Sequence, residues 1–178
     1  MKKIKYLFLV ISAVTLASFF FYVMGQLIVR QSANIQPSRM ANEAKIELEG
    51  SKDFSTVFGE KKTDFKKSLI PFTIIYDKDK KPVNSTTLNN GRIPQIPVGV
   101  LESAEKSGEN RMSWQPESGS RFATVIVPFS DGYIVGGESL SEYDRTTKCL
   151  FILSFYIWMV LLVSSIFGSL YILHRRKK

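Results

Sequence analysis

Residues 122–142 read FATVIVPFSDGYIVGGESLSE, and the fold turns on how this run is parsed. Phe122, Thr124 and Ile126 alternate with Ala123, Val125, Val127 and Phe129. Both sides of the run are therefore small or apolar, which predicts a strand buried on both faces and central in its sheet. Asp131-Gly132 is a turn signal, and residues 133–137 read as the antiparallel return. Ser139-Leu140-Ser141-Glu142 has the S-x-x-E spacing of a capping box, in which the Ser139 hydroxyl would accept from the Glu142 N–H. No proline or glycine falls between this cap and Gly168. One helix is therefore predicted from Leu140 to Leu173, about 50 Å long at 1.5 Å per residue, joined directly to the last strand.

That helix enters apolar sequence. Residues 149–173 and residues 6–29 form uncharged runs of 25 and 24 residues. Each exceeds the roughly 20 residues needed to cross the hydrocarbon core of a bilayer, so each is predicted to span it with some tilt. A secretory signal would have an apolar core of about 7–15 residues closed by a small-x-small cleavage site. The first run is longer, carries Phe19-Phe20-Phe21-Tyr22 and ends at no such site, so an uncleaved anchor is expected. The expected organisation is a tip at 1–5, a span at 6–29, a central domain at 30–148, a second span at 149–173 and a tip at 174–178.

Net charge is +8, with 24 basic and 16 acidic residues. Seven of the positives are Lys2, Lys3, Lys5, Arg175, Arg176, Lys177 and Lys178, on the two tips. The central domain holds 17 basic against 16 acidic residues, so the excess says topology, and nucleic acid is not an expected partner. The bias of positive charge toward the cytoplasm places both termini inside the plasma membrane and the central domain outside it, the flanking Arg30, Arg39, Arg145 and Lys148 being fewer.

Cys149 and His174 are the only cysteine and histidine, and neither belongs to the body of the central domain. Disulfides, metal sites built from His and Cys, and Ser-His or Cys-His nucleophile pairs are thus excluded there. No cofactor is expected. No pair among the acidic residues is marked out for acid–base chemistry, and an enzyme is the least favoured class.

In the rest of the domain, Gln36-Pro37 should break or restart the helix leaving the first span. Met40, Ala41, Ala44 and Leu48 then recur at helical spacing, with Gly50 as a stop. A weaker helical stretch would include Phe54, Val57, Phe58, Phe65 and Leu69. Phe72, Ile74 and Tyr76 alternate with Thr73, Ile75 and Asp77 as a strand, Asp77-Lys78-Asp79-Lys80-Lys81 turns it, and residues 82–88 return. Pro97 opens a helix carrying Val98, Leu101 and Ala104 that closes near Gly108. Residues 111–115 form the strand preceding 122–129, with a turn at Pro116-Glu117-Ser118-Gly119.

Helix, strand, hairpin, strand, helix, three antiparallel strands and an exit helix is the element order of PAS-like and single-Cache sensor domains of bacterial sensor kinases and chemoreceptors. The hairpin Phe72-Thr-Ile-Ile-Tyr-Asp-Lys-Asp-Lys-Lys-Pro-Val-Asn-Ser resembles the first hairpin of those domains. Pro97-Val-Gly-Val-Leu101, Ser113-Trp-Gln-Pro116, Arg121-Phe-Ala-Thr-Val125 and Gly137-Glu-Ser-Leu-Ser-Glu142 resemble blocks of small two-span bacterial membrane proteins of uncharacterised function, over roughly residues 40–145. The resemblance implies an α+β fold, a PAS or single-Cache antiparallel sheet flanked by helices between two transmembrane helices. Five residues follow the second span, so no kinase, cyclase or methyl-accepting coiled coil is expected, and a signal would pass to a membrane partner.

A ligand site is expected around Trp114, Arg121, Tyr133 and Tyr76. Tryptophan offers a stacking face, arginine a fork for a carboxylate, and the tyrosines hydroxyls. Alternation puts Met112 and Trp114 on one face and Arg111, Ser113 and Gln115 on the other, leaving Arg121 as the companion of Trp114. The bland readings are core packing for Trp114 and both tyrosines, favoured about two to one at Trp114, and a rim position for the arginines. Asp77-Lys78-Asp79 begins like a calcium loop but has Pro82 where that loop needs glycine and Leu88 in place of its glutamate, so it reads as a turn. Pro94-Gln-Ile-Pro97 and Asn84-Ser85-Thr86 match polyproline and glycosylation patterns that occur often by chance. Ser164 with Gly168, Ser165 with Ser169, and Ala13 with Ala17 are small pairs that would let spans approach closely, within one chain, in a homodimer or against a partner in the bilayer. The leading expectation is a membrane-anchored extracytoplasmic sensory or small-ligand-binding module. The alternative is a structural protein that docks onto another membrane or envelope protein.

Overall fold

A computed structural model describes residues 2–51, 62–64 and 69–175. Two compact units emerge, one of residues 31–143 and one of 1–30 with 144–178.

The first unit is α+β. Five antiparallel strands, β2 (Phe72–Asp77), β3 (Pro82–Ser85), β5 (Asn110–Glu117), β6 (Ser120–Phe129) and β7 (Gly132–Ser139), lie in the order β3-β2-β7-β6-β5. The centre is β7; β6, expected there, lies beside it and is buried on both faces through 122–127. The return strand expected over 82–88 divides at Thr86. Its second part, β4 (Thr87–Leu88), pairs in parallel with β1 (Thr63–Asp64). Hydroxyls cause the division: Thr86 Oγ1 accepts from the Thr73 N–H at 2.9 Å and Ser85 Oγ donates to the Thr73 carbonyl at 3.2 Å. These side-chain bonds stand beside one remaining backbone bond, from the Thr86 N–H to the Thr73 carbonyl at 3.0 Å, where the strand leaves the sheet. Of the helical stretch expected at Phe54, Val57, Phe58, Phe65 and Leu69, only Leu69 falls among the described residues, and it is not helical.

Helix α1 (Lys2–Ser32) gives way to α2 (Ile35–Ser51) across Ala33 and Asn34. The break therefore precedes Gln36-Pro37, and Pro37 sits in the first turn of α2, where a helix has no use for its missing N–H. Pro37, Ala41, Ala44 and Leu48 make a buried stripe at helical spacing; the last three pack on Ile75, Val125, Val127 and Ile134 of the sheet. On the opposite face α3 (Val98–Ser107) sets Leu101 and Ala104 against Phe72, Ile74, Tyr76, Phe122, Ile126 and Val135. Gly108 ends α3 in the left-handed conformation at φ 79°, donating to the Ala104 carbonyl at 2.9 Å. This is the conformation glycine adopts without cost.

Two adjacent glycines in β7 let the layers close. A Cβ on Gly136 would overlap the Pro37 carbonyl oxygen and lie 2.9 Å from its carbon, and one on Gly137 would lie 2.7 Å from Phe72 Cε1.

In the second unit α1 pairs with α4 (Ser141–Arg175) in antiparallel fashion. Gly25 meets Leu150, the Tyr22 ring lies 5.7 Å from that of Phe151, and Trp158 Nε1 donates to Thr15 Oγ1 at 3.2 Å. The less exposed positions recur every three or four residues, through Val14, Ser18, Tyr22 and Gly25 on α1 and Ser154, Trp158, Leu162, Ser165 and Ser169 on α4. Of the small pairs, Ser165 and Ser169 lie on the covered side, while Ser164, Gly168, Ala13 and Ala17 are exposed. With windows of mean hydropathy 2.3 and 2.4 and outward Phe8, Phe21 and Phe167, both helices are long and apolar enough to cross a membrane.

Gly136→Ala is expected to lower the stability of the sheet unit by about 3 kcal/mol, because backbone must move. Gly99→Ala, on the open side of α3 with nothing near its Cβ, should be neutral or stabilising by up to about 1 kcal/mol. Chemical unfolding of the two variants, followed by tryptophan fluorescence, checks the contrast.

Candidate functional site

Trp114 stands opposite Phe122 on β5 and β6 and is only 6% exposed. Its ring lies 6.4 Å from that of Phe72 and 6.2 Å from that of Phe122, and those two are 5.5 Å apart. The space beside it is filled by an aromatic cluster, the packing role weighed against a ligand role.

Tyr76, 1% exposed, belongs to the same core. Its hydroxyl donates to the Pro94 carbonyl at 3.1 Å and accepts from the Ile96 N–H at 2.8 Å. It thus clamps the segment leading into α3. Burial pushes its pKa up to about 12, against the opposing pull of the Ile96 N–H. Tyr133 is buried with its hydroxyl at the rim, donating to Glu105 Oε2 of α3 at 2.8 Å. Burial first, and then the Glu105 carboxylate, raise its pKa. Beside it Lys80 bridges to Glu102 at 2.7 Å.

Arg121 does not join these residues. At the turn Glu117 pairs with Ser120, and an unbroken ladder from there would set Trp114 opposite Ala123, on the face Arg121 shares. Instead Gln115 and Pro116 together oppose Arg121, and Trp114 meets Phe122. This bulge of one extra residue flips the face. Arg121 is exposed on the α2 side, and the expected pairing with Trp114 is corrected. Arg111 keeps its expected face, away from Trp114.

The calcium-like Asp77 serves its own turn, with Oδ1 accepting from the Lys81 N–H at 2.8 Å.

Among the described residues, two concavities on this unit bear on the site instead. One, of about 560 Å³, is formed by residues 89–95, where Asn89 Oδ1 is buried without a partner among the described residues. The other, of about 350 Å³, is a groove between α2 and β5, lined by Gln31, Asn34, Ile35, Ser38, Arg39, Asn42 and Arg111. Because α2 lies over β6 and β7, the neighbouring face of β5 stays open, and Arg111, Ser113 and Gln115 are exposed on it. Alternation along β5 was legible in the sequence. The groove was not, since it depends on which strands α2 covers.

Next to the groove lies a small apolar cluster. Ala33, from the α1–α2 join, meets Ala123 of β6 and Leu140 from the β7–α4 join, with Tyr143 packed on them. The Leu140 N–H donates to the Arg121 carbonyl at 2.8 Å, the Ser141 N–H to Ser139 Oγ at 3.3 Å, and the Tyr143 hydroxyl to Glu138 Oε2 at 3.4 Å. Ser139 therefore serves Ser141, the first helical residue, in the capping region expected at Glu142. Burial raises the pKa of Glu138, opposed by Tyr143.

Comparison with protein-family models, with curated proteins and with solved structures returns no match for this chain.

The Tyr76 shift predicts an alkaline limit. A phenol whose folded pKa lies above its unfolded value of about 10 contributes fully below pH 10, and its contribution is lost as pH rises from 10 to 12. Tyr76→Phe should cost about 2 kcal/mol at pH 7, because the Ile96 N–H and Pro94 carbonyl lose their partner. The same variant should show a flatter fall in stability between pH 10 and 12, measurable by unfolding at a series of pH values.

Proposed function

We propose that this chain is a membrane-anchored extracytoplasmic sensory module of PAS or Cache type. It binds a small ligand on its α+β domain and passes the change through its second span to a membrane partner. The basic tips support an orientation with both termini cytoplasmic.

The observation that carries this reading is the convergence of both membrane connections on one cluster. Ala33 and Leu140, each within one residue of a membrane helix, belong with Ala123 of the sheet to one buried apolar cluster. A shift of β6 against α2 therefore alters both connections at once. On the α4 side Leu140 alone stands between the strand, which ends at Ser139, and the helix, which begins at Ser141 and runs unbroken to Arg175. The element order, with a hairpin at one edge, a covering helix and three successive antiparallel strands, supports the PAS or Cache assignment. Transmission requires a ligand that binds one arrangement more tightly than the other, at about 1.4 kcal/mol for each tenfold shift. The ligand surface assigned here is the α2–β5 groove, which adjoins the cluster through Asn34; Trp114, Tyr76 and Tyr133 serve the core and its rim.

The test uses the full chain in bilayers, with Cys149→Ser, Gly25→Cys and Leu150→Cys reporting the approach of α1 to α4. Overpacking the cluster with Ala123→Val or Ala123→Leu is expected to change the disulfide cross-linking rate several-fold. Asp79→Leu, on the exposed 77–81 turn, should leave it unchanged. Equal rates in all three variants would point to a rigid outer platform and against transmission.

A further inference from the structure

We infer that the groove between α2 and β5 is a binding site for a phosphate oxyanion, carried by a free small molecule or by a lipid headgroup. Two guanidiniums reach it from different elements, Arg39 from α2 and Arg111 from the sheet edge, and carboxamides of Gln31, Asn34 and Asn42 with Ser38 complete a lining without a carboxylate. Arg111 is held by Glu109 through its Nε, which fixes the guanidinium plane and leaves the terminal nitrogens for a second acceptor. Arg39 contacts Glu43 at 3.6 Å, with both side chains more than 60% exposed, a pairing weak enough for a better acceptor to displace.

Phosphate fits this donor set better than carboxylate does. Its oxygens lie in more than one plane and can take guanidiniums arriving from a helix and a strand together, whereas a carboxylate is served by one planar fork. A volume of about 350 Å³ gives room for the oxyanion and a small substituent. One residue, Arg30, separates Gln31 from Val29, the last residue of the first apolar run. Gln31 thus follows the first apolar run closely along the chain, and a lipid headgroup and a soluble phosphate would offer the groove the same chemistry.

This assignment names the ligand class of the proposed sensory surface and rests on that reading, but binding is measured without any output. The full chain in phosphatidylcholine nanodiscs is titrated with inorganic phosphate at constant ionic strength and followed by Tm. A second series compares phosphatidylcholine discs with discs containing phosphatidylglycerol. A rise in Tm with phosphate identifies a soluble ligand, and a rise confined to the phosphatidylglycerol discs identifies a headgroup. In either case Arg39→Gln and Arg111→Gln should each weaken the apparent affinity about tenfold, as expected for loss of a charged hydrogen bond. Arg92→Gln, on the 89–95 turn, should leave it unchanged. Both groove arginines are exposed, so the Tm of the variants without ligand should match the parent. No rise in either series, or a rise that survives the double variant, overturns the assignment. Retained binding with unchanged cross-linking would instead refute transmission while leaving the anion site intact.

Discussion

The approach of the Pro37 carbonyl to Gly136 sets the distance between α2 and the sheet, and most of the domain follows from it. Adjacent residues of a strand point to opposite faces, so Gly136 admits the backbone of α2 while Gly137 admits the ring of Phe72. On the α2 side, the small Ala41 and Ala44 continue the close contact and Leu48 closes it. On the α3 side, Phe72 centres the aromatic cluster with Trp114 and Phe122. The same close contact brings Ala33, just before α2, down onto Ala123 beside Leu140. One pair of missing side chains thus governs the core and the place where the chain enters α2 and leaves β7.

A core closed in this way leaves little for a ligand to enter near Trp114. The buried hydroxyl of Tyr76 already has a donor and an acceptor, as a buried polar group requires. The open polar surface lies instead on the strip of β5 that α2 does not cover. Arg111 and Arg39 keep their charge in water there, and carboxamides supply further donors. The groove is polar because it borders an edge strand. Exposed polar and charged residues, together with Pro116 at the bulge, also protect such an edge against pairing with another chain.

Most elements were legible because each obeys a local rule. The alternation in 72–77 and 122–129, the turn at Asp131-Gly132, Pro97 and Gly108 around α3, and the unbroken run after Ser139 are short-range signals. The failures share a different cause. The division at Thr86 depends on hydroxyls finding Thr73, thirteen residues away. The restart of the helix at Ile35 instead of Gln36-Pro37 depends on Pro37 having the sheet to pack on. The serines of α4 offered two stripes of equal spacing, and only the presence of α1 selects Ser165 and Ser169 over Ser164 and Gly168.

By itself the sequence determined the two apolar helices, most strands of the five-stranded sheet, the α3 cap and the absence of His and Cys from residues 30–148. Residue type and spacing are enough for these. Only the tertiary structure decided which side chains share a face across strands. A single extra residue at Gln115 and Pro116 inverts the register between the turn and Trp114, so Arg121, one position from Phe122, ends on the opposite side of the sheet. Spacing along one strand cannot reveal that, because the face shared by two strands is a property of their pairing. For the same reason the groove joining Arg39 to Arg111, 72 positions apart in the chain, exists only once α2 has settled over β6 and β7.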